Sequence, residues 1–122
     1  MGYMDFRDLI VWNRAMDMTE NAYNLIRKLP KEELFNLGSQ MRDSAVSIPS
    51  NIAEGYGKYS DKEFIRFLRI SRGSANELIT QFLICLRIGY LKLEETKAII
   101  NEIDEINKMI LSMINKLEKR LK

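Results

Sequence analysis

The side chains that most often carry chemistry are scarce in this sequence. It contains no histidine, so the commonest general base and metal ligand is missing, and its single cysteine, Cys85, cannot form an internal disulfide. Leucine and isoleucine surround Cys85, which predicts a small buried apolar residue rather than a reactive thiol. Glu54 and Glu77 could act as paired carboxylates, but no nucleophile or metal-ligand pattern accompanies them. The residues predict a protein that is not an enzyme and needs no metal or cofactor, with carboxylate catalysis as the remaining alternative.

Basic residues with helical spacing are the first candidates for binding. Between Lys58 and Lys92 the sequence has seven basic and three acidic residues, although the whole chain carries only +2. Five of these cations form what we call the basic stripe: Lys58, Lys62, Arg66, Arg69 and Arg72. Steps of three and four residues would place the last four on one helix face, with Lys58 in the loop before it. There they could hold phosphates, and Tyr56 and Tyr59 lie nearby for stacking. The alternative is a solvated or ion-paired face, since four basic residues on a helix are common.

A second stripe is polar and lacks the lysines typical of a solvated face. Its members also follow steps of four and three: Gln40, Ser44, Ser47, Asn51 and Glu54. The alternatives are a solvated outer face and a semi-buried network against a neighbouring helix. For the network, the next helix offers four partners: Arg69, Arg72, Asn76 and Glu77. An antiparallel neighbour would bring these beside Asn51 and Glu54, where ion pairs would set the register of the two helices.

Four long helices are needed to position these stripes. Apolar residues recur every three or four positions over four segments: residues 6 to 29, about 37 to 54, 60 to 89, and 93 to the C-terminus. Pro30 ends the first helix, and Gly55 is expected to cap the second. Ser60 and Glu63 form a capping-box pattern that opens the third helix, which Gly89 ends.

A proline lies inside the second predicted helix. Because Pro49 cannot donate a backbone hydrogen bond and crowds the carbonyl of Ala45, we expect a kink after Val46 rather than two separate helices. Short connections between helices of similar length predict antiparallel neighbours. The sequence therefore predicts one all-α domain over residues 1 to 122, an antiparallel up-down-up-down four-helix bundle with a kinked second helix.

Apolar residues outside the core stripes predict a subunit interface. A small bundle cannot bury all of the additional ones on the last two helices: Ile65, Ile70, Ile79, Leu83, Ile84, Ile88, Ile100, Met109 and Ile114. We therefore expect a homo-oligomer, with scattered surface hydrophobic residues as the alternative. The sequence lacks a leader-like opening and any apolar run near the roughly 18 residues of a membrane span, which predicts a cytoplasmic protein that does not bind membranes.

Several segments together resemble a known family. They are FRDLIVW at 6–12, QMR at 40–42, SIPSNIAEGYGK at 47–58 and GSANEL at 73–78. They resemble the small bacterial four-helix-bundle proteins encoded by intervening sequences within large-subunit rRNA genes, and the match covers nearly the whole chain. The resemblance marks these structural or binding candidates: Gln40, Arg42, Ser47, Pro49, Asn51, Glu54, Gly55, Asn76 and Glu77. Family members often carry two basic residues where this sequence has Arg42 followed by Asp43, which weakens any electrostatic contribution there.

The resemblance also implies an assembly and a class of partner. It implies a bundle that forms a ring-like homopentamer, without enzymatic activity, and a similarity to the accessory protein of diversity-generating retroelements, which binds nucleic acid and its reverse transcriptase. The leading hypothesis is a non-catalytic oligomeric module that binds RNA or DNA through the basic stripe, repeated around a ring so that weak contacts add by avidity. The alternative is a protein-interaction adaptor, for example for a polymerase or reverse transcriptase, in which the polar and basic residues only hold the bundle together.

Overall fold

Helices account for most of the chain between residues 5 and 121, the part that the computed structural model describes; residues 1 to 4 and 122 lie outside it. A 3-10 turn at Phe6–Asp8 comes first, followed by five α-helices: α1 (Ile10–Ile26), α2 (Lys31–Leu34), α3 (Leu37–Tyr56), α4 (Asp61–Ile88) and α5 (Leu93–Leu121). The helix α2 is a single turn, whereas the other four are long. No strand occurs between residues 5 and 121.

The four long helices form a square in which each packs against two neighbours. The contacts join α1 with α3, α3 with α4, α4 with α5, and α5 with α1. Side-chain hydrogen bonds show that neighbouring helices are antiparallel. Ser44 and Ser47 of α3 bond to Glu77 and Ser74 of α4, so the residue numbers run in opposite directions. Arg120, near the end of α5, bonds to Asp61 at the start of α4, and Lys28, just after α1, bonds to Glu95 in the first turn of α5. The predicted antiparallel four-helix bundle is confirmed.

The first helix begins later than the sequence indicated. Asp5 caps the preceding 3-10 turn, because its carboxylate accepts a hydrogen bond from the Arg7 amide at 2.9 Å and its own amide donates to the Asp8 carboxylate at 2.9 Å. Leu9 then adopts an extended conformation, and α1 starts at Ile10. The capped 3-10 turn and α1 are therefore two separate elements, although their apolar residues follow one helical periodicity.

The core of the bundle contains Cys85. This residue is fully buried, and its thiol lies 3.7 Å from the sulfur of Met41. Burial raises the pKa of the thiol to about 11, so the group stays protonated at neutral pH. The prediction of a buried apolar cysteine is confirmed.

The helix α3 continues through Pro49, as predicted, and the expected bend stays a prediction. Pro49 cannot donate to the carbonyl of Ala45, four residues earlier. The Thr19 hydroxyl of α1 lies 3.3 Å from that carbonyl oxygen and 2.8 Å from the carbonyl of Ala15. On the other side, the Ser71 hydroxyl of α4 donates to the carbonyl of Ile48 at 2.8 Å. Hydroxyl groups from both neighbouring helices therefore reach the backbone next to the proline.

The prediction that Gly55 caps the second helix is wrong. The helix α3 runs on to Tyr56, and Gly57 is the cap, with right-handed dihedral angles. Gly55 is instead buried where α3 and α4 approach each other closely. A Cβ atom at this position would lie 2.6 Å from the Cβ of Phe67, so only glycine fits without movement of the helices.

The fold leaves fewer apolar residues outside the core than the sequence predicted. Of the nine additional residues, Ile65 and Ile114 are buried in the core, and Ile79, Ile100 and Met109 pack partly against it. The four that remain exposed all belong to α4: Ile70, Leu83, Ile84 and Ile88. A homo-oligomer stays a prediction, and α4 is the helix that would supply its apolar contacts. No helix between residues 5 and 121 combines the length and hydropathy needed to cross a bilayer.

Candidate functional site

The polar stripe forms a hydrogen-bonded seam between α3 and α4. Ser44 donates to the Glu77 carboxylate at 3.1 Å, and the hydroxyls of Ser47 and Ser74 lie 2.8 Å apart. Asn51 donates to both the carbonyl and the hydroxyl of Ser47, at 2.8 and 2.9 Å. Ser44 is buried, while Ser47 and Asn51 are half-buried. The semi-buried network is confirmed, and hydrogen bonds of serine hydroxyls rather than ion pairs set the register of the two helices.

The ion pairs predicted across this seam are wrong. Arg69 donates instead to Glu118 of α5 at 2.7 Å, and Asn107 of α5 donates to Asn76 at 3.2 Å. Arg72 lies between Arg69 and Asn76 on the helix surface, half-buried, and its Nε atom has no hydrogen-bond partner among the described residues. Because a helix turns by about 100° per residue, packing its serine face on α3 directs Arg69 and Asn76 toward α5.

The two carboxylates considered for catalysis are not brought together. Glu77 lies opposite Ser44, whereas Glu54 follows Ser44 by ten positions, or about 15 Å along α3. Glu54 is exposed and belongs to no seam contact among the described residues. Within residues 5 to 121, no group of three or more His, Cys, Asp or Glu side chains is arranged to hold a metal ion.

Most of the motif residues marked by the resemblance have a structural role. Ser47, Asn51 and Glu77 belong to the seam, while Pro49 is buried and Gly55 allows the close helix approach. Two others make contacts elsewhere: Asn76 pairs with α5, and Arg42 donates to the carbonyl of Leu34 at 2.8 Å, which ties α2 to α3. Gln40 and Glu54 are exposed. The motif therefore describes how α3 packs against its neighbours.

The basic stripe lies at the N-terminal half of α4 and in the loop before it. Lys58, Lys62, Arg66 and Arg69 are exposed, unlike the half-buried Arg72. Lys58 Nζ and Arg66 Cζ lie 5.6 and 4.5 Å from the ring centre of Phe67, so cation–π contacts hold them beside the helix.

Ion pairs engage two of the stripe's arginines only in part. Arg66 donates to Glu63 at 3.2 Å and Arg69 to Glu118 at 2.7 Å, and their side chains remain 57% and 60% exposed. Each pair uses one N–H of a guanidinium that has five. Donors therefore remain for another ligand, and Lys62 has no ion pair with any described residue.

Further cations at the same end of the bundle come from α5 and were missed by the sequence analysis. Lys116 and Lys119 are exposed and form no ion pair within residues 5 to 121. Arg120 is bidentate to the Asp61 carboxylate at 3.0 and 2.7 Å, and this contact lowers the pKa of Asp61. The predicted antiparallel order could have indicated these cations, because it places the C-terminal end of α5 beside the N-terminal end of α4.

Comparison with known proteins identifies the family. A family model described as 23S rRNA-intervening sequence protein matches residues 7–112. The chain belongs to this family. No curated protein matches the chain. A crystal structure from Bacteroides thetaiotaomicron, described as a protein with unknown function from the S23 ribosomal protein family, is similar to it at 29% identity, with a TM-score of 0.80 over 86% of this chain and 98% of that one.

Membership of the 23S rRNA-intervening sequence protein family confirms the resemblance drawn from the sequence. The match includes the polar seam and all of the basic stripe, but it ends at Ser112, before the cations of the last turns of α5. The relation to the accessory protein of diversity-generating retroelements stays a prediction.

Proposed function

We propose that this chain is a non-catalytic RNA-binding module that acts in the cytoplasm as a ring-shaped homo-oligomer, with five subunits. The observation that carries the proposal is the exposed basic stripe, whose guanidinium and ammonium groups keep donors available after the contacts within the chain are counted. The description of the family refers to 23S rRNA, and the similar crystal structure is assigned to a ribosomal protein family, which supports RNA as the nucleic acid.

The basic stripe keeps a net positive charge after its ion pairs are counted. Five cations face two carboxylates, Glu63 and Glu118, while Asp61 is already occupied by Arg120. Exposed pairs of this kind contribute about 0–1 kcal/mol, so a phosphate can exchange for a carboxylate at little cost. Repetition of the stripe around a ring would raise the overall affinity well above that of one subunit.

The proposed contact between subunits lies on the same face of α4 as the basic stripe, but at the C-terminal half of the helix. Ile84 and Ile88 are exposed and continue the line of Arg66 and Gly73 toward the C-terminal end of α4. The N-terminal half of this face is basic and the C-terminal half apolar. RNA and a neighbouring subunit would therefore contact different halves of one helix without competing.

We expect the double variant Lys62→Gln/Arg66→Gln to bind structured RNA about tenfold more weakly at low salt, because two phosphate contacts are lost. Fluorescence anisotropy over a salt series should show a slope of log Kd against log salt reduced by about two. The matched control is Lys31→Gln/Lys97→Gln, which removes the same charge from exposed residues at the opposite end of the bundle. Equal affinity of the two double variants would contradict the proposal.

Gly73, midway along the same face of α4, offers a test of the subunit contact. A Cβ atom at Gly73 would meet nothing within 4 Å, and the residue lies inside a helix. We expect Gly73→Ala to raise the free energy of unfolding of the monomer by about 0.5–1 kcal/mol, as measured by urea denaturation. A loss of stability that grows with protein concentration would show instead that copies of the chain pack tightly against this glycine.

A protein-interaction adaptor is the second candidate, favoured by the exposed apolar residues of α4. In that case Ile84 and Ile88 would contact a different protein rather than a second copy. A pull-down that recovers one specific protein after nuclease treatment, and loses it with Ile84→Ser/Ile88→Ser, would favour the adaptor. If light scattering shows a strict monomer at micromolar concentration, the proposed homo-oligomer is contradicted.

A further inference from the structure

An aromatic groove lies at the end of the bundle where α3, α4 and α5 meet. We call it the end groove; its volume is about 430 Å³, within the range of small-ligand sites. Its lining residues include Tyr56, Tyr59, Phe64, Met113, Lys116 and Leu117. The rings of Tyr56 and Phe64 meet edge to face, with centres 5.8 Å apart, and α5 adds the apolar side chains of Met113 and Leu117 to the lining.

Tyr59 is placed at the groove in an unusual way. The residue is 95% exposed, and its φ of 53° lies in the left-handed region that bulky side chains rarely adopt. Its side chain makes no hydrogen bond or ring contact with another described residue. The fold therefore holds a large aromatic ring in water, on a strained backbone, without gaining packing from it. Strained residues of this kind cluster at ligand-binding sites.

The rim of the end groove is positively charged. Lys116 lines it and forms no ion pair within the described residues, and the Asp61 carboxylate is neutralised by Arg120. Asp61 lines the groove, and the next residue, Lys62, belongs to the basic stripe, so groove and stripe meet at the first turn of α4. The positive charge then continues along α4 to Arg69, which suits an extended polyanion better than a single charged side chain.

We propose that the end groove binds one unstacked base of single-stranded RNA, with the Tyr59 ring stacked on the base and Lys116 holding the adjoining phosphate. The proposal rests on the proposed function and narrows it, because a base is available for stacking in loops, bulges and ends but not inside a duplex. Aromatic stacking beside a basic groove is the usual way in which proteins hold single strands. The basic stripe contacts the backbone that leads away from this base.

The test compares a short single-stranded RNA with a duplex of the same composition by fluorescence anisotropy. Tyr59→Ala should weaken single-strand binding about tenfold and leave duplex binding unchanged, whereas Tyr59→Phe should bind as the wild type does. An oligonucleotide that carries 2-aminopurine should lose fluorescence on binding the wild type but not Tyr59→Ala. The matched control is Phe35→Ala, which removes the aromatic ring of a residue that is 88% exposed at the opposite end of the bundle.

Tyr59→Gly separates binding from folding. Glycine accepts the left-handed conformation, so this variant should unfold at or above the temperature of the wild type and still lose single-strand affinity. If Tyr59→Ala binds single strands as the wild type does while Lys62→Gln/Arg66→Gln weakens binding, the groove proposal is overturned and the proposed function stands. If the wild type binds neither RNA, both are overturned. Preference for an acidic aromatic peptide over RNA, lost in Tyr59→Ala, would overturn the base site in favour of a protein ligand.

Discussion

We expect the Gly55→Ala variant to lose about 2 kcal/mol of unfolding free energy, although alanine is the better helix former. The added methyl group would lie 2.6 Å from the Cβ of Phe67 and 3.0 Å from the Cδ1 of Phe64. The first contact involves an atom next to the backbone, which cannot rotate away. The helices α3 and α4 would therefore have to separate at the end where the loop of residues 57 to 60 joins them.

The control for this variant is two residues away. At Gly57 an added Cβ would find its nearest neighbours at 3.6 and 3.7 Å, which is ordinary contact, and the backbone is right-handed. Gly57→Ala should therefore keep the stability of the wild type within about 0.5 kcal/mol in urea denaturation. A Gly55→Ala protein as stable as Gly57→Ala would show that the two helices tolerate separation. Because Phe64 also lines the end groove, the destabilised variant should bind single-stranded RNA less tightly as well.

The Phe82→Ala variant should lose about 3–5 kcal/mol of unfolding free energy. Phe82 is fully buried in α4 and is among the largest side chains of the core. Removing the ring forfeits its transfer free energy and leaves a cavity that four packed helices cannot fill. This loss is a large share of the roughly 5–15 kcal/mol that stabilises a domain of this kind.

Phe35 supplies the comparison for Phe82. This residue follows α2 and is 88% exposed, so Phe35→Ala should change the unfolding free energy by less than about 0.5 kcal/mol. Chemical denaturation of both variants, followed by circular dichroism, measures the difference. A Phe82→Ala loss below about 1 kcal/mol would indicate that the core collapses around the missing ring and that α4 is less rigidly packed than its burial implies.

Local signals in the sequence were sufficient for both ends of α4, whereas α1 is shorter than predicted and ends at Ile26, before Pro30. Ser60 accepts a hydrogen bond from the Glu63 amide at 3.3 Å and begins α4, and Gly89, at a φ of 93°, ends it, as the capping pattern predicted. Such signals work because a helix end must satisfy its own backbone groups with nearby residues. Gly55 could not be assigned by such signals, because a glycine can serve a helix end or a close helix contact and its local sequence is the same in both cases.

The partners of the polar stripe could be predicted only in part. Spacing identified Ser44, Ser47 and Asn51 as one semi-buried row, but it did not identify Ser74 as the residue opposite Ser47. The facing residue depends on how α4 is rotated about its axis. That rotation is set by burial of the whole apolar face, to which every turn of the helix contributes.

The spacing of the basic residues was enough to place four of the five members of the basic stripe on one helix, because helical periodicity is a local property. The sequence alone also determined the number of long helices, their antiparallel order and the lack of histidine chemistry. Only the tertiary structure decided which of the cations are still available. It paired Arg69 with Glu118 of α5 and Arg120 with Asp61, and it brought Lys116 and Tyr59 to the same groove. These contacts join residues that are far apart in the chain, so they depend on the packing of whole helices rather than on any local signal.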